Sequence, residues 1–163
     1  MVTQEDLFIK MVLDNWNTSI KRMDDLFNEL SDDRLLQQVA PGRNRGIYLL
    51  GHMAVVHDRM LTLLGFETQL HPEWEELFLT NPDNANTSMP AISELKNYWK
   101  EVNERLAGHF KRLHPAEWFQ KHNAVSEEEF NKEPHRNKLN VVINRAGHLA
   151  THHGQLLFLK PKS

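Results

Sequence analysis

Apolar residues recur at helical spacing in four long segments of this 163-residue chain, whereas strand-like alternation is weak throughout. The segments cover about residues 4–30, 45–65, 90–113 and 139–159. Pro90 suits the first turn of the third helix, and Gly65 is a suitable stop for the second. The pattern therefore predicts an all-α fold: an antiparallel four-helix bundle with long connections, formed as a single domain over residues 1–163.

The first segment carries a helix start signal and an apolar stripe that two polar residues interrupt. Thr3 is a suitable N-cap, and Asp6 lies in the first turn, where its charge favours the helix dipole. Asn15 and Ser19 fall on the stripe at i, i+4 spacing, so they either form satisfied hydrogen bonds in the core or line a wet cavity. The stripe includes Leu7, Phe8, Met11, Val12, Trp16, Met23, Leu26, Phe27 and Leu30.

Two of the connections are long and irregular. Residues 66–88 contain a short amphipathic helical turn, HPEWEELF, followed by a loop, NPDNANTS. Residues 115–137 carry aromatic side chains that are available to cover an apolar surface. We expect both connections to lie outside the bundle of long helices.

The composition disfavours or excludes several functions. A formal net charge of −3 gives no electrostatic reason to expect binding to nucleic acid or to an anionic membrane. Because the chain has no cysteine, it can form no disulfide, thiolate nucleophile or sulfur ligand to a metal. Its start lacks the pattern of a signal peptide and no stretch is apolar enough to span a bilayer, so we expect a cytoplasmic protein.

Two histidines in the last predicted helix have the spacing of metal ligands. His148 and His152 are four residues apart, so both imidazoles leave the same helix face. Asn144 and Gln155 extend this polar stripe along an otherwise apolar helix. His52, in the second predicted helix, is the candidate for a third ligand. Three imidazoles bind a divalent metal ion and leave coordination positions open for water and substrate.

The other histidines fit such a site less well. His57 follows His52 by five residues and His153 follows His152 directly, so each points about 140° or 100° away from a proposed ligand. They face another helix or solvent. His109 flanks the stripe of the third helix as a boundary residue. We expect four further histidines to lie solvated in connections: His71, His114, His122 and His135.

Two short motifs resemble the signature of a known family. Gly51-His52 lies in the second helix, and residues 148–155 of the last helix have the pattern His-x-x-x-His-x-Gly-Gln. Together with chain length and helix order, they resemble the DinB-like superfamily, the DNA-damage-inducible, YfiT-like metalloenzymes. These proteins are unrelated to the DNA polymerase that shares the DinB label.

The resemblance implies a bundle with a long crossover and a divalent metal ion held by His52, His148 and His152. It also implies a homodimer. Several lineages of the family are thiol-dependent transferases that use mycothiol, bacillithiol or glutathione. The family often has arginine after the second C-terminal histidine. This chain has His153 there, which puts in doubt any role of that arginine in holding a substrate or a partner helix.

The leading hypothesis is a metal-dependent enzyme with zinc or nickel as its cofactor and a small-molecule substrate. Three neutral ligands leave the full charge of the ion to activate a low-molecular-weight thiol, for S-transfer, or water, for hydrolysis. No carboxylate is placed as a general base, so the catalytic residues are unknown. The alternative is a non-catalytic, stress-associated metal-binding bundle protein. Candidates to surround the metal are Tyr48, Asn144, Asn15 and Ser19.

Overall fold

The computed structural model describes residues 1–161, and the regular secondary structure within them is entirely helical. The prediction of an all-α fold is confirmed. Each of the two irregular connections contains short helical pieces. The α-helices are α1 (Gln4–Glu29), α2 (Asp32–Leu35), α3 (Gly46–Leu63), α4 (Ile92–Arg112), α5 (Glu127–Lys132) and α6 (Lys138–Leu156). Shorter 3-10 or π turns cover Pro72–Trp74, Glu76–Thr80, Pro115–Phe119 and Leu157–Leu159.

The ends of the long helices follow their local sequence, with one exception. The Thr3 side chain accepts a hydrogen bond from the Asp6 N–H, and the Asp6 carboxylate accepts one from the Thr3 N–H, which confirms the predicted N-cap. Gly65, which follows the C-cap residue Leu64 of α3, has a left-handed φ of 75°. The placement of Pro90 in the first turn of α4 is wrong, because Ala91 is extended and the helix begins at Ile92.

Helices α1 and α6 lie side by side and run in the same direction. Arg22 of α1 and His153 of α6 line one small cavity. Further along both helices, Glu29 forms a 2.8 Å ion pair with Lys160, which follows α6. Later residues of one helix therefore contact later residues of the other.

Helices α3 and α4 also run in the same direction. The Tyr98 hydroxyl of α4 donates to the Asp58 carboxylate of α3 over 2.8 Å. Glu67, which follows α3, contacts His109 near the end of α4 over 3.1 Å. Because parallel neighbours cannot be joined by a tight turn, residues 64–91 form a crossover segment that returns along α3.

The two parallel pairs run in opposite directions to each other. Phe27 near the end of α1 packs edge-to-face on Trp99 in the first half of α4, with ring centroids 5.8 Å apart. Trp16, earlier in α1, packs in the same manner on Phe110, later in α4, at 6.1 Å. Two long helices therefore point one way and two the other, around a common apolar core.

The start of α1 departs from the predicted inward stripe. Leu7, Phe8 and Met11 are 53%, 47% and 61% exposed, whereas Ile9 and Val12 are buried. Phe8 and Met11 each precede a buried residue by one position, which rotates them about 100° around the helix, away from the core. No helix within residues 1–161 has the length and apolar character needed to cross a membrane.

The crossover segment is held against the first half of α3. The Tyr48 hydroxyl donates to the Asn81 carbonyl over 2.7 Å. One turn earlier, Arg45 forms a half-buried ion pair with Asp83 at 2.6 Å, and the Arg45 N–H also donates to that carboxylate. These contacts place residues 76–83, hereafter the strap, along the helix face that carries His52.

Asp58 attaches the beginning of the crossover segment to α3. Its fully buried carboxylate accepts hydrogen bonds from the backbone N–H groups of Leu70 and His71 at 2.8–2.9 Å, in addition to the Tyr98 hydroxyl. The strap is therefore held from both ends, and its distance from α3 is set by these anchors.

Candidate metal centre

The structure brings the three predicted histidines together between α3 and α6. Nε2 of His148 lies 3.1 Å from Nε2 of His52 and 3.0 Å from Nε2 of His152. One ring nitrogen of each residue lies within 4.8 Å of the others. Two imidazole nitrogens bound to one zinc ion at about 2.0–2.1 Å would be roughly 3.0–3.4 Å apart. The cluster therefore has dimensions that could hold a metal ion.

Hydrogen bonds on the far side of two rings orient them toward the cluster. Nδ1 of His52 donates to the Phe78 carbonyl over 2.8 Å, and Nδ1 of His152 donates to Oε1 of Gln155 over 2.8 Å. Because a carbonyl oxygen can only accept, each bond places the ring proton on Nδ1. The lone pair of each Nε2 then points at His148. Such outer contacts are typical of metal-ligating histidines.

The cluster has more lone pairs than protons to share between them. A neutral His148 carries one ring proton. If Nε2 carries it, two neighbouring lone pairs compete for one donor, and if Nδ1 carries it, three lone pairs face one another. Nδ1 of His148 is buried and has no hydrogen-bond partner within residues 1–161. This excess of lone pairs at one point favours a cation.

Burial keeps two of these imidazoles neutral. Desolvation is the main reason that the pKa of His52 is lowered, and the same cause, followed by the charges of His152 and His52, lowers the pKa of His148 to about 4. A neutral imidazole is the form that binds metal. At pH 7 neither His52 nor His148 has to lose a proton before it can act as a ligand.

Gly51 allows the strap to approach His52. A Cβ atom at this position would lie 2.2–2.5 Å from three ring atoms of Phe78, far inside van der Waals contact. Phe78 itself is fully buried. The absence of a side chain at position 51 therefore lets the Phe78 carbonyl reach Nδ1 of His52, which gives a physical role to the Gly51-His52 motif.

The four residues predicted to surround the metal have different positions. Tyr48 lies next to His52 with nearly parallel rings, 10° apart in plane and 6.2 Å between centroids. Asn144 is exposed and lines a cleft one turn before His148. The placement of Asn15 and Ser19 at the site is wrong. Asn15 is exposed, and Ser19 lines a separate cavity with His153, because α1 packs on a different side of α6.

His57 lies outside the cluster, as its spacing predicted. The ring is fully buried between those of Trp16 and Trp99, with both centroid distances 4.9 Å. Nδ1 donates to the Asn103 side-chain oxygen over 2.8 Å. Burial lowers the pKa of His57 to about 3, so it is a neutral core residue.

The histidines of the connections are only partly solvated. His114 and His135 are exposed, as expected. The prediction is wrong for His71 and His122, which are half-buried. His71 stacks on Trp74 with 4.2 Å between centroids, because the crossover segment folds against α3 and α4 instead of extending into solvent.

Sequence reasoning does not identify two further residues near the cluster. Phe78 contributes a backbone carbonyl, which leaves no trace in residue type. Arg145 is half-buried on α6, one turn before His148. Its occurrence next to Ala146 and close to Val141 and Val142 in a largely apolar part of the helix is the signal that could have identified it.

Comparison with known families agrees with the geometry. The DinB superfamily matches residues 15–156, which include the three clustered histidines and the strap. The match covers most of the chain, so the protein belongs to the DinB superfamily. Among curated proteins, none matches this sequence. Membership in this superfamily and the histidine cluster together fit a metal-binding protein.

Proposed function

We propose that this member of the DinB superfamily is a metal-dependent enzyme in which His52, His148 and His152 bind one divalent ion, zinc or nickel. The observation that carries the proposal is the convergence of imidazole nitrogens at 3.0–3.1 Å with their outer nitrogens already bonded to the strap and to Gln155. The donor set is neutral and contains only nitrogen, which suits both metals.

The chain prepares the site for small-molecule chemistry. An ion bound there would act as a Lewis acid and lower the pKa of a coordinated thiol or water. Phe78 and Gln155 hold two of the ligand rings in position, and the strap and the Tyr48 ring cover His52 on one side. Three protein ligands leave room for a substrate.

S-transfer from a low-molecular-weight thiol is the reaction we favour over hydrolysis. Among the described residues, the ligand cluster consists of three imidazoles and contains no carboxylate that could act as a general base. A thiol with a lowered pKa releases its proton to solvent, and its sulfur then attacks an electrophile as the leaving group departs. Because the chain has no cysteine, the sulfur has to come from a cosubstrate.

Elemental analysis of untagged protein tests the metal site. Wild type should bind one ion per chain, and His148→Ala and His152→Ala should each lose stoichiometric binding, because two nitrogens cannot replace a three-nitrogen site. His153→Ala is the matched control, since it removes the neighbouring imidazole and should leave occupancy intact. Full occupancy in His148→Ala would contradict the ligand assignment.

Cobalt-substituted protein tests the reaction class. A low-molecular-weight thiol such as glutathione should change the visible spectrum and react with an electrophile faster in the presence of the protein than alone. A metal-loaded protein whose spectrum no thiol changes would contradict S-transfer and favour hydrolysis or a non-catalytic, stress-associated role. The homodimer stays a prediction from the family, which sedimentation can check.

A further inference from the structure

A polar cleft of about 790 Å³ lies against the turn of α6 that precedes His148. Its walls come from the second half of α3, the first half of α6, the crossover segment and residues 122–124. The volume is in the range of pockets that enclose small molecules. Arg59, Gln69, Asn144 and Arg145 are among the residues that line it, and they make it rich in hydrogen-bond donors.

Among the residues that the structure describes, Arg145 has no counter-ion in this cleft. Its side chain is half-buried, and within residues 1–161 its Nε is buried with no hydrogen-bond partner and its guanidinium forms no ion pair. Burial, and secondarily the nearby charge of Arg59, lowers the pKa of Arg145. A half-buried cation without a partner is unfavourable, and an anionic ligand would remove that penalty.

The other charged groups of the cleft do not supply that anion. Arg59 pairs with Glu75 over 3.4 Å, so the one carboxylate of the lining is directed to a different guanidinium. His122 also lines the cleft and is half-buried, but an imidazole cannot supply a negative charge. Within residues 1–161, the positive charge of Arg145 is therefore unopposed in the cleft.

Arg145 is also close to the proposed metal ligands. It precedes His148 by three residues, which is about 4.5 Å along the helix axis. Its charge is the smallest of the named causes that lower the pKa of both His52 and His148. The three histidines do not themselves line the cleft, so a molecule held by Arg145 has to extend by about one helical turn to meet the cluster.

We propose that Arg145 binds the carboxylate of the substrate, so that the enzyme acts on small organic acids and selects them against their neutral analogues. A planar guanidinium can hold a carboxylate through two parallel hydrogen bonds, which fixes the direction of the bound molecule as well as its charge. The inference rests on the proposed function in one respect: the other end of the substrate is assumed to meet a metal ion bound by the three histidines.

Matched thiol pairs on cobalt-substituted protein provide the first test. Mercaptoacetate, 3-mercaptopropionate and 4-mercaptobutyrate are each compared with the corresponding amide, with the visible spectrum reporting sulfur binding. At one chain length or more, the acid should bind about tenfold or more tightly than its amide, the usual effect of a charged hydrogen bond. 2-Mercaptoethanesulfonate, as a further arm, shows whether a sulfonate replaces the carboxylate. Equal binding of acid and amide at every length would overturn the inference.

Variants assign the preference to Arg145. Arg145→Met should abolish the preference for the acid while cobalt occupancy and amide binding stay unchanged, and Arg145→Lys should retain a weaker preference. Arg43→Met is the control, because it removes one exposed positive charge before α3. It should keep the full preference. A preference that survives in Arg145→Met would overturn the inference and assign the selectivity to the metal charge.

A metal-free measurement separates this inference from the proposed function. Propionate is titrated into the metal-free protein while NMR follows the Nε–H signal of Arg145, with propionamide as the neutral control and inorganic phosphate as the alternative anion. Propionate should give a saturable shift that propionamide does not. If cobalt fails to bind but propionate shifts this signal, the metal proposal fails and the anion site stands. If propionate causes no shift, the anion site fails.

Discussion

Replacing Gly51 by alanine tests whether the spacing between the strap and α3 determines metal affinity. The new Cβ would lie 2.2 Å from Cε1 of Phe78, whereas carbon atoms in contact are about 3.5–4.0 Å apart. The Phe78 ring is fully buried and packs beside Tyr48, so it cannot rotate into solvent. The strap must therefore move away from α3 by more than about one ångström, and the Phe78 carbonyl moves with it.

Gly51→Ala should lower both the stability of the protein and its affinity for the metal. Overpacking in a core costs about 1–3 kcal/mol, and the higher helix propensity of alanine offsets about 1 kcal/mol of that cost. The larger effect is on metal binding, because the 2.8 Å hydrogen bond from Nδ1 of His52 to the Phe78 carbonyl is lost. Loss of such an outer contact lowers metal affinity by about 10- to 100-fold.

The assay combines chelator competition for zinc with urea unfolding of the metal-free protein. Gly147→Ala is the control, because a Cβ at Gly147 meets nothing within 4 Å although the residue directly precedes a proposed ligand. It should raise stability by about 1 kcal/mol and leave zinc affinity unchanged. Wild-type zinc affinity in Gly51→Ala would refute the argument that the strap positions His52.

Two further predictions concern protonation and the second outer contact. His57 has a folded-state pKa of about 3, below its unfolded-state value of about 6.5, so the unfolded chain binds more protons between these limits. Its contribution to stability is complete above pH 6.5 and is lost as the pH falls toward 3, at about 3 kcal/mol between pH 7 and pH 4. Urea unfolding of metal-free His57→Leu should show a shallower pH dependence over that range than wild type, and an identical slope would mean that other groups are responsible. Gln155→Glu should strengthen zinc binding, because a carboxylate makes the His152 ring more basic through Nδ1, whereas Gln155→Leu should weaken it; equal affinities in a chelator competition would contradict this role.

Helical periodicity predicted the α-fold and the existence of all four long helices, because each helix has to bury one apolar face. It did not predict which face of the first two turns of α1 is buried. Leu7, Phe8 and Met11 are apolar, yet they lie exposed beside the buried Ile9 and Val12. Apolar residues on two adjacent faces give the same local pattern, and only the neighbouring helices decide which face is covered.

Part of the candidate site could also be predicted from local sequence. Spacing alone placed His148 and His152 on one face of α6, since the geometry of a single helix decides which side chains share a face. His52 was chosen as the third ligand from its place in the second predicted helix, and the Gly51-His52 motif supported that choice through family resemblance. The excluded histidines, His57 and His153, also follow from angular position on a helix.

The path of the crossover segment determines how His52 approaches α6, where the Phe78 carbonyl lies and which residues face Arg145 across the cleft. Contacts distant in sequence determine that path, including those of Asp58 with residues 70–71 and of Arg45 with Asp83. Sequence periodicity reports how one helix distributes its own side chains. It carries no information about the distance between helices, so the tertiary structure alone decided that three imidazoles meet and that Arg145 lines a cleft.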